Sequence, residues 1–162
     1  MTHRKLPNQR QFFRIGDASG AWPVYSSAGA RKLGGRWHST PNDVIYASEV
    51  FSLALTEKLV HYNGVLPNEQ HYVVITVPKG LSYEACTVQS LPGWDSAKNN
   101  VAREYANQWY AEQRSVVLLV PSVISSYERN VVINTKHPEF KQLTCSEELP
   151  YRWDERLLKL LS

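Results

Sequence analysis

The chain has 162 residues, 43% hydrophobic and 20% charged, proportions that exclude a disordered chain and suit one folded domain with a sizeable core. Lys and Arg number 18 against 15 Asp and Glu, and a net charge of +3 is too small to point to nucleic acid by itself. Two cysteines, Cys86 and Cys145, exclude a disulfide scaffold or a Cys-built zinc site, and no apolar run approaches the roughly 20 residues that span a bilayer.

Residues 1–14 are polar and basic with no apolar core, so no secretory signal is expected and a cytoplasmic protein is predicted. Phe12-Phe13-Arg14-Ile15, closed by Gly16-Asp17, reads as the first strand. Residues 16–35 hold Gly16, Gly20, Gly29, Gly34 and Gly35, five of the eight glycines, and read as loop. Trp37 and Val44-Ile45-Tyr46 read as two short strands around a turn at Pro41-Asn42-Asp43. Ser48 is placed to cap a helix that reaches Asn63, with Glu49 in its first turn and Gly64 as its stop.

Residues 71–77 form a β-rich run ended by Pro78. A second helix is expected from Asp95 or Ser96 to Arg114. Residues 115–120 (SVVLLV) are continuously apolar, the mark of a strand buried on both faces, and residues 130–134 (NVVIN) form another strand. Asp154-Glu155-Arg156-Leu157-Leu158 suits either a helix or a strand. Strands interleaved with two main helices predict an α+β fold, a single mixed α/β domain over residues 1–162.

Three places carry candidate chemistry. Val50, Leu53, Glu57 and Val60 share one helical face, which sets Glu57 in an apolar stripe where a carboxylate needs a partner or a working cleft. An ion pair with Lys58, His61 or an Arg answers that need as well as a catalytic role does, and His61 lies one turn away on the same face. Gly34-Gly35-Arg36-Trp37 combines close backbone approach with a guanidinium suited to phosphate or carboxylate, and equally describes a tight turn with a surface Arg. Ser122 follows the buried strand at Pro121 without the Gly-x-Ser-x-Gly setting of a hydrolase nucleophile. Tyr46 ends a strand just before the helix of Glu57, a position shared by cleft residues and by core tyrosines. The five histidines lack metal-ligand spacing, so no metal is predicted.

Taken in order, these stretches resemble the RES domain, the toxin half of Xre/RES (ParS/ParT-like) bacterial toxin–antitoxin pairs. The resemblance rests on Phe13-Arg14-Ile15, Gly29-Ala30-Arg31, Gly34-Gly35-Arg36-Trp37-His38-Ser39, Val44-Ile45-Tyr46-Ala47-Ser48 and Leu53-Ala54-Leu55-Thr56-Glu57. It continues through Val120-Pro121-Ser122, then residues 128–134 (ERNVVIN), His137-Pro138 and Asp154-Glu155-Arg156-Leu157. The resemblance implies an ADP-ribosyltransferase-like fold and an enzyme that cleaves the nicotinamide–ribose bond of NAD+, depleting it by hydrolysis or phosphorolysis and arresting growth. It puts the family's Arg on Arg36, its Glu on Glu57, its Ser on Ser122 and its Tyr on Tyr46 as catalytic residues. Arg14, Arg36, Tyr46, Ser122 and Asn130 are then the NAD+-binding set, without a metal.

A cognate Xre/ParS-type helix-turn-helix antitoxin is implied as partner, with a toxin homodimer inside the complex, and with neither direct nucleic-acid binding nor a membrane. A protein ADP-ribosyltransferase toxin shares all of these residues and stands as the alternative. An RNA-targeting toxin, built on five Trp and nine Tyr, and a non-catalytic interaction module are the further readings.

Overall fold

The computed structural model describes residues 4–61, 69–98 and 100–160. Its elements run β1 (Arg4–Lys5), β2 (Arg10–Asp17), α1 (Ala28–Lys32), β3 (Val44–Ser48), α2 (Phe51–Val60), β4 (Gln70–Val77) and β5 (Ser82–Ala85). They continue with α3 (Val101–Ala111), β6 (Val117–Pro121), β7 (Arg129–Asn134), a 3-10 turn (Pro138–Gln142), β8 (Thr144–Cys145), β9 (Leu149–Tyr151) and α4 (Glu155–Leu160). The strands form one sheet in the order β1-β5-β6-β7-β3-β2-β4-β8, with β9 also paired to β4. Among the described strands only β5 and β6 run parallel; the other pairs are antiparallel.

The continuous apolar run lies where both faces of the sheet are covered: every residue of β6 is buried. Strand alternation divides its side chains between two cores. Val117 and Leu119 join Phe12, Ile75, Val131 and Ile133 on one face. Leu118 and Val120 face the other way, toward Val44, Val132, Trp37, Trp94 and α3. Helix α3 supplies Ala102, Ala106 and Trp109 at helical spacing, and the Trp109 indole donates to Ser115 Oγ at 2.8 Å.

Several boundaries depart from the sequence reading for local reasons. Helix α3 starts at Val101 rather than at Asp95 or Ser96, because turns closed by Trp94 N–H to Leu91 O and Ser96 N–H to Gly93 O use up the preceding backbone. The glycine-rich stretch is not all loop: Gly16 and Asp17 extend β2, and residues Ala28–Lys32 make the single turn of α1. Trp37 belongs to a turn closed by the Gly35–His38 bridge, not to a strand. Ser48 ends β3 and caps nothing, and Val50 holds the N-cap position of α2. Glu49 instead takes a salt bridge from Arg10 at 2.6 Å and one from Arg129 at 2.8 Å, tying β2 to β7. The expected helix end at Asn63 and stop at Gly64 lie outside the described residues. The ambiguous tail is helical, as α4. No helix among the described residues is long and apolar enough to cross a membrane.

The edge near β1 is fastened by one carboxylate. Glu139, in the 3-10 turn, accepts from Lys5 Nζ at 2.9 Å, from Ser82 N–H at 2.8 Å and from the Ser82 hydroxyl. Burial pushes the Glu139 carboxyl up, but the bonds from Lys5 and Ser82 outweigh it and bring it from 4.5 down to about 2. A carboxyl lowered on folding contributes stability that is complete above its unfolded value and lost as pH falls through its folded one. Acid titration should therefore show wild-type stability declining between 4.5 and about 2, and Glu139→Gln should flatten that decline. Unfolding midpoints in urea, measured across this interval for both proteins, check the slope.

Candidate active site

Helix α2 is seated by its first residue. The Phe51 ring meets Phe13, Tyr72 and Tyr151 edge-on, with centroids 5.7, 4.9 and 5.7 Å away. These contacts fix the helix on β2, β4 and β9, and Leu53 and Ala54 are its buried residues. Val50 and Val60 are exposed, so the apolar stripe is shorter than its spacing suggests. Glu57 stands at the end of it, where the helix overhangs a cleft.

One oxygen of Glu57 is held by hydrogen bonds, and among the described residues the other has the His61 ring nitrogen 4.0 Å away. Oε1 accepts from Ser122 Oγ at 3.0 Å and from Asn130 Nδ2 at 2.5 Å. Asn130 is aimed by Ser48, whose hydroxyl donates to Asn130 Oδ1 at 2.7 Å across paired positions of β3 and β7. Ser122 is buried, and its hydroxyl oxygen accepts the N–H groups of Ile124 (3.1 Å) and Ser125 (3.2 Å). Those bonds occupy its lone pairs, so it stands behind Glu57 and does not line the cleft. The ionic partners weighed for Glu57 sort out accordingly. Lys58 pairs with Asp17 at 3.1 Å, and the His61 ring nitrogen lies 4.0 Å from Glu57 Oε2.

Arg14 stitches β2 to β3 where their ladder stops. The two strands pair only at Phe13–Ser48, and from the next residue the Arg14 guanidinium donates to Tyr46 O at 2.8 Å and Val24 O at 2.6 Å. Burial lowers its pKa from the ordinary guanidinium value, yet a guanidinium keeps its charge at neutral pH. Two of its five N–H groups go to these carbonyls, which leaves one on Nη1 and two on Nη2.

Tyr46 organises the glycine turn. Its hydroxyl accepts from Trp37 N–H at 3.3 Å and lies 2.7 Å from His38 Nδ1. His38 Nε2 is 2.8 Å from the Ala30 carbonyl, which can only accept, so Nε2 carries the proton and Tyr46 donates to Nδ1. Burial pushes the Tyr46 hydroxyl up, outweighing the Trp37 N–H and the Arg103 charge, which keeps it protonated for this bond. Gly35 is required by this proximity: a Cβ there would lie 2.8 Å from Tyr46 Oη and 3.1 Å from the His38 ring. Arg36, next in the chain, is exposed, with Nη1 donating to Trp94 O at 3.2 Å. Trp37 beneath it stacks on Trp94 at 5.9 Å.

A cleft of ≈ 530 Å³ joins these parts: Arg14, Arg36, Tyr46, Glu57 and Asn130 all line it, as does His61. A smaller hollow of ≈ 180 Å³ shares Arg14, Tyr46, Glu57, His61 and Asn130 and adds the apolar Phe13, Ile15, Ala47 and Ala54. Five of the six residues singled out in the sequence therefore face one cavity, and the sixth, Ser122, holds one of them. Residue reasoning missed His38, Ser48 and Arg103, whose Nε donates to Gly35 O at 3.0 Å. His38 carried a signal in its place beside Gly-Gly-Arg-Trp; Ser48 and Arg103 carried none, because their partners are distant in sequence. Among the described residues no group of three or more His, Cys, Asp or Glu side chains is arranged to hold a metal ion.

The architecture is thus an α+β sheet protein whose cleft sets one carboxylate among neutral donors and two arginines. The RES domain family model matches residues 11–154, and the chain belongs to that family. A protein of Sphingobium sp. (strain YBL2) named "Prs ADP-ribosylating toxin" is 37% identical over 139 residues, 83% of this chain and 86% of that one. A "Toxin Res" of Photorhabdus laumondii subsp. laumondii is 30% identical over 140 residues, 84% of this chain and 89% of that one. Among solved structures, the M. tuberculosis MbcT-MbcA toxin–antitoxin complex contains a chain of the same fold, with a TM-score of 0.69 at 16% identity over 97% of this chain and 91% of that one.

Gly35→Ala should destabilise the protein by about 1–3 kcal/mol, the usual penalty for forcing atoms into a filled site. Equilibrium unfolding in urea measures it, and a variant as stable as wild type would show that Tyr46 and His38 can give way.

Proposed function

We propose that this protein is a toxin of a bacterial toxin–antitoxin pair that cleaves the nicotinamide–ribose bond of NAD+, depleting the cytoplasmic pool and arresting growth. The observation that carries the reading is Glu57: a carboxylate fixed through one oxygen by Asn130 and Ser122, lining a cleft that also holds two arginines. The names of the relatives, which include an ADP-ribosylating toxin, support the same chemistry.

Bond cleavage builds positive charge on the ribose, in an oxocarbenium-like state. Nicotinamide is cationic in NAD+ and leaves as a neutral base, so its departure needs no general acid, and a single carboxylate suffices. Neutral hydrogen bonds from Ser122 and Asn130 orient Glu57 without cancelling its charge, leaving Oε2 to stabilise the cation and a ribose hydroxyl. Such preorganised charge is worth most in a partly desolvated cleft. The small hollow, with Phe13, Ile15 and the Tyr46 ring, would take the nicotinamide. Exposed Arg36 would hold the diphosphate, with Arg14 adding its charge from the cleft floor.

An antitoxin of the Xre/ParS helix-turn-helix type is the proposed partner. The solved relative named as a toxin–antitoxin complex supports it. So does the cleft mouth, where Leu33, Val60 and Val123 are exposed apolar side chains. Transfer of ADP-ribose to a protein acceptor is the second reading, favoured by the name of the Sphingobium relative.

Glu57→Gln tests the central claim cleanly, because the Gln oxygen can still accept from Ser122 and Asn130 while the charge is gone. Nicotinamide release from NAD+ should fall by about 10²–10³-fold or more, as when one preorganised stabilising group is removed. A folded Glu57→Gln protein with full turnover would sink the assignment. Arg36→Ala should raise the NAD+ concentration needed for half-maximal turnover by about 10–100-fold, the loss of one or two charge-assisted bonds. An unchanged half-saturation would remove Arg36 from diphosphate binding.

A further inference from the structure

Cleavage needs a second event that Glu57 alone does not provide. A phosphate oxyanion attacks without a base, but a water molecule or a protein hydroxyl must lose its proton as its oxygen bonds to the ribose. The groups lining the cleft that can take a proton are Glu57, His38, Tyr46 and His61. His38 is buried, with Nδ1 bonded to Tyr46 and Nε2 to the Ala30 carbonyl. Tyr46 is held neutral and its proton is committed to His38. The charge of Glu57 is needed at the ribose until the new bond forms.

His61 remains. It follows the last residue of α2, lines both the large cleft and the small hollow, and sets Nε2 4.0 Å from Glu57 Oε2. Its side chain is 78% exposed, against 25% for Glu57, so a proton collected at the cleft can pass to solvent. One helical turn separates the two residues, the spacing at which side chains of one face serve one site.

We propose that His61 is the general base for the acceptor, a reading that rests on the NAD+ assignment above and adds the acceptor half of the reaction. The acceptor oxygen bonds to ribose C1′ as its proton moves to the neutral His61 imidazole. The C1′–nitrogen bond breaks with its electron pair going to nicotinamide, which leaves neutral, and His61 then returns the proton to water. The charged groups around His61 are Glu57 and Lys58 on its own helix, Arg14 on β2 and Arg36 across the cleft, and Lys58 is paired with Asp17. Protonation of His61 removes the base, so activity falls on the acid side.

The test is nicotinamide release from NAD+ by the full chain, as wild type, His61→Ala and His61→Gln, across a pH series and with added imidazole. At neutral pH both variants should release nicotinamide about 100-fold more slowly. The part of the acid limb due to His61 should vanish, and imidazole should restore His61→Ala in proportion to its concentration. Wild-type rates and pH profile in both variants would overturn the inference, as would a loss that imidazole does not repair. A wild-type protein that releases no nicotinamide overturns the NAD+ reading and this inference together, whereas turnover indifferent to His61 overturns this inference alone.

Discussion

A half-buried carboxylate held by neutral donors is the constraint on which the cleft depends. The groups that satisfy Glu57 Oε1, Ser122 and Asn130, are neutral, so they hold the carboxylate without pairing it to a positive charge. An arginine in their place would give a structural ion pair and an inert helix end. The arrangement demands three separate supports. Ser48 must aim Asn130, the backbone of Ile124 and Ser125 must aim Ser122, and Phe51 must hold the helix against β2, β4 and β9.

The sheet makes those supports converge. Strands β3 and β7 pair so that Ser48 lies opposite Asn130, and β6 pairs on the other side of β7 so that its exit delivers Ser122. The early end of the β2–β3 ladder has the same consequence for Arg14. Past Phe13–Ser48 a guanidinium takes over from backbone pairing, which places a fixed positive charge at the cleft floor. Arg36 differs: it is exposed on a turn that Tyr46, His38 and Arg103 hold from below. One arginine is built into the scaffold, and the other is presented to the cleft by it.

Much of this was legible in the sequence where the signal is local. The apolar 116–120 run announced a strand covered on both faces, and Gly34-Gly35-Arg36-Trp37 announced either a close backbone approach to a ligand or a tight turn, of which the structure shows the turn. What it approaches is the Tyr46 hydroxyl, and that depends on the return of β3. Ser48 shows the limit most clearly. Next to an acidic residue and before a helical pattern it reads as a cap, yet it ends a strand and spends its hydroxyl on Asn130. Glu49 likewise reads as a dipole partner and proves to be a bridge between Arg10 and Arg129. Strands β1, β5, β8 and β9 have two to four residues and lack a period long enough to register.

By itself the sequence determined an α+β chain and its main strands, and its resemblance to the RES domain singled out six residues for an NAD+ site. Those are properties of residue type, short-range period and ordered motifs, all written along the chain. Only the tertiary structure decided which oxygen of Glu57 is held, that Ser122 works from behind it, that His38 completes the Tyr46 bond and that His61 looks into the cleft. The reason is distance along the chain. Ser122 and Asn130 lie 65 and 73 residues from Glu57, and a hydrogen bond over that separation exists only after the sheet has set its register.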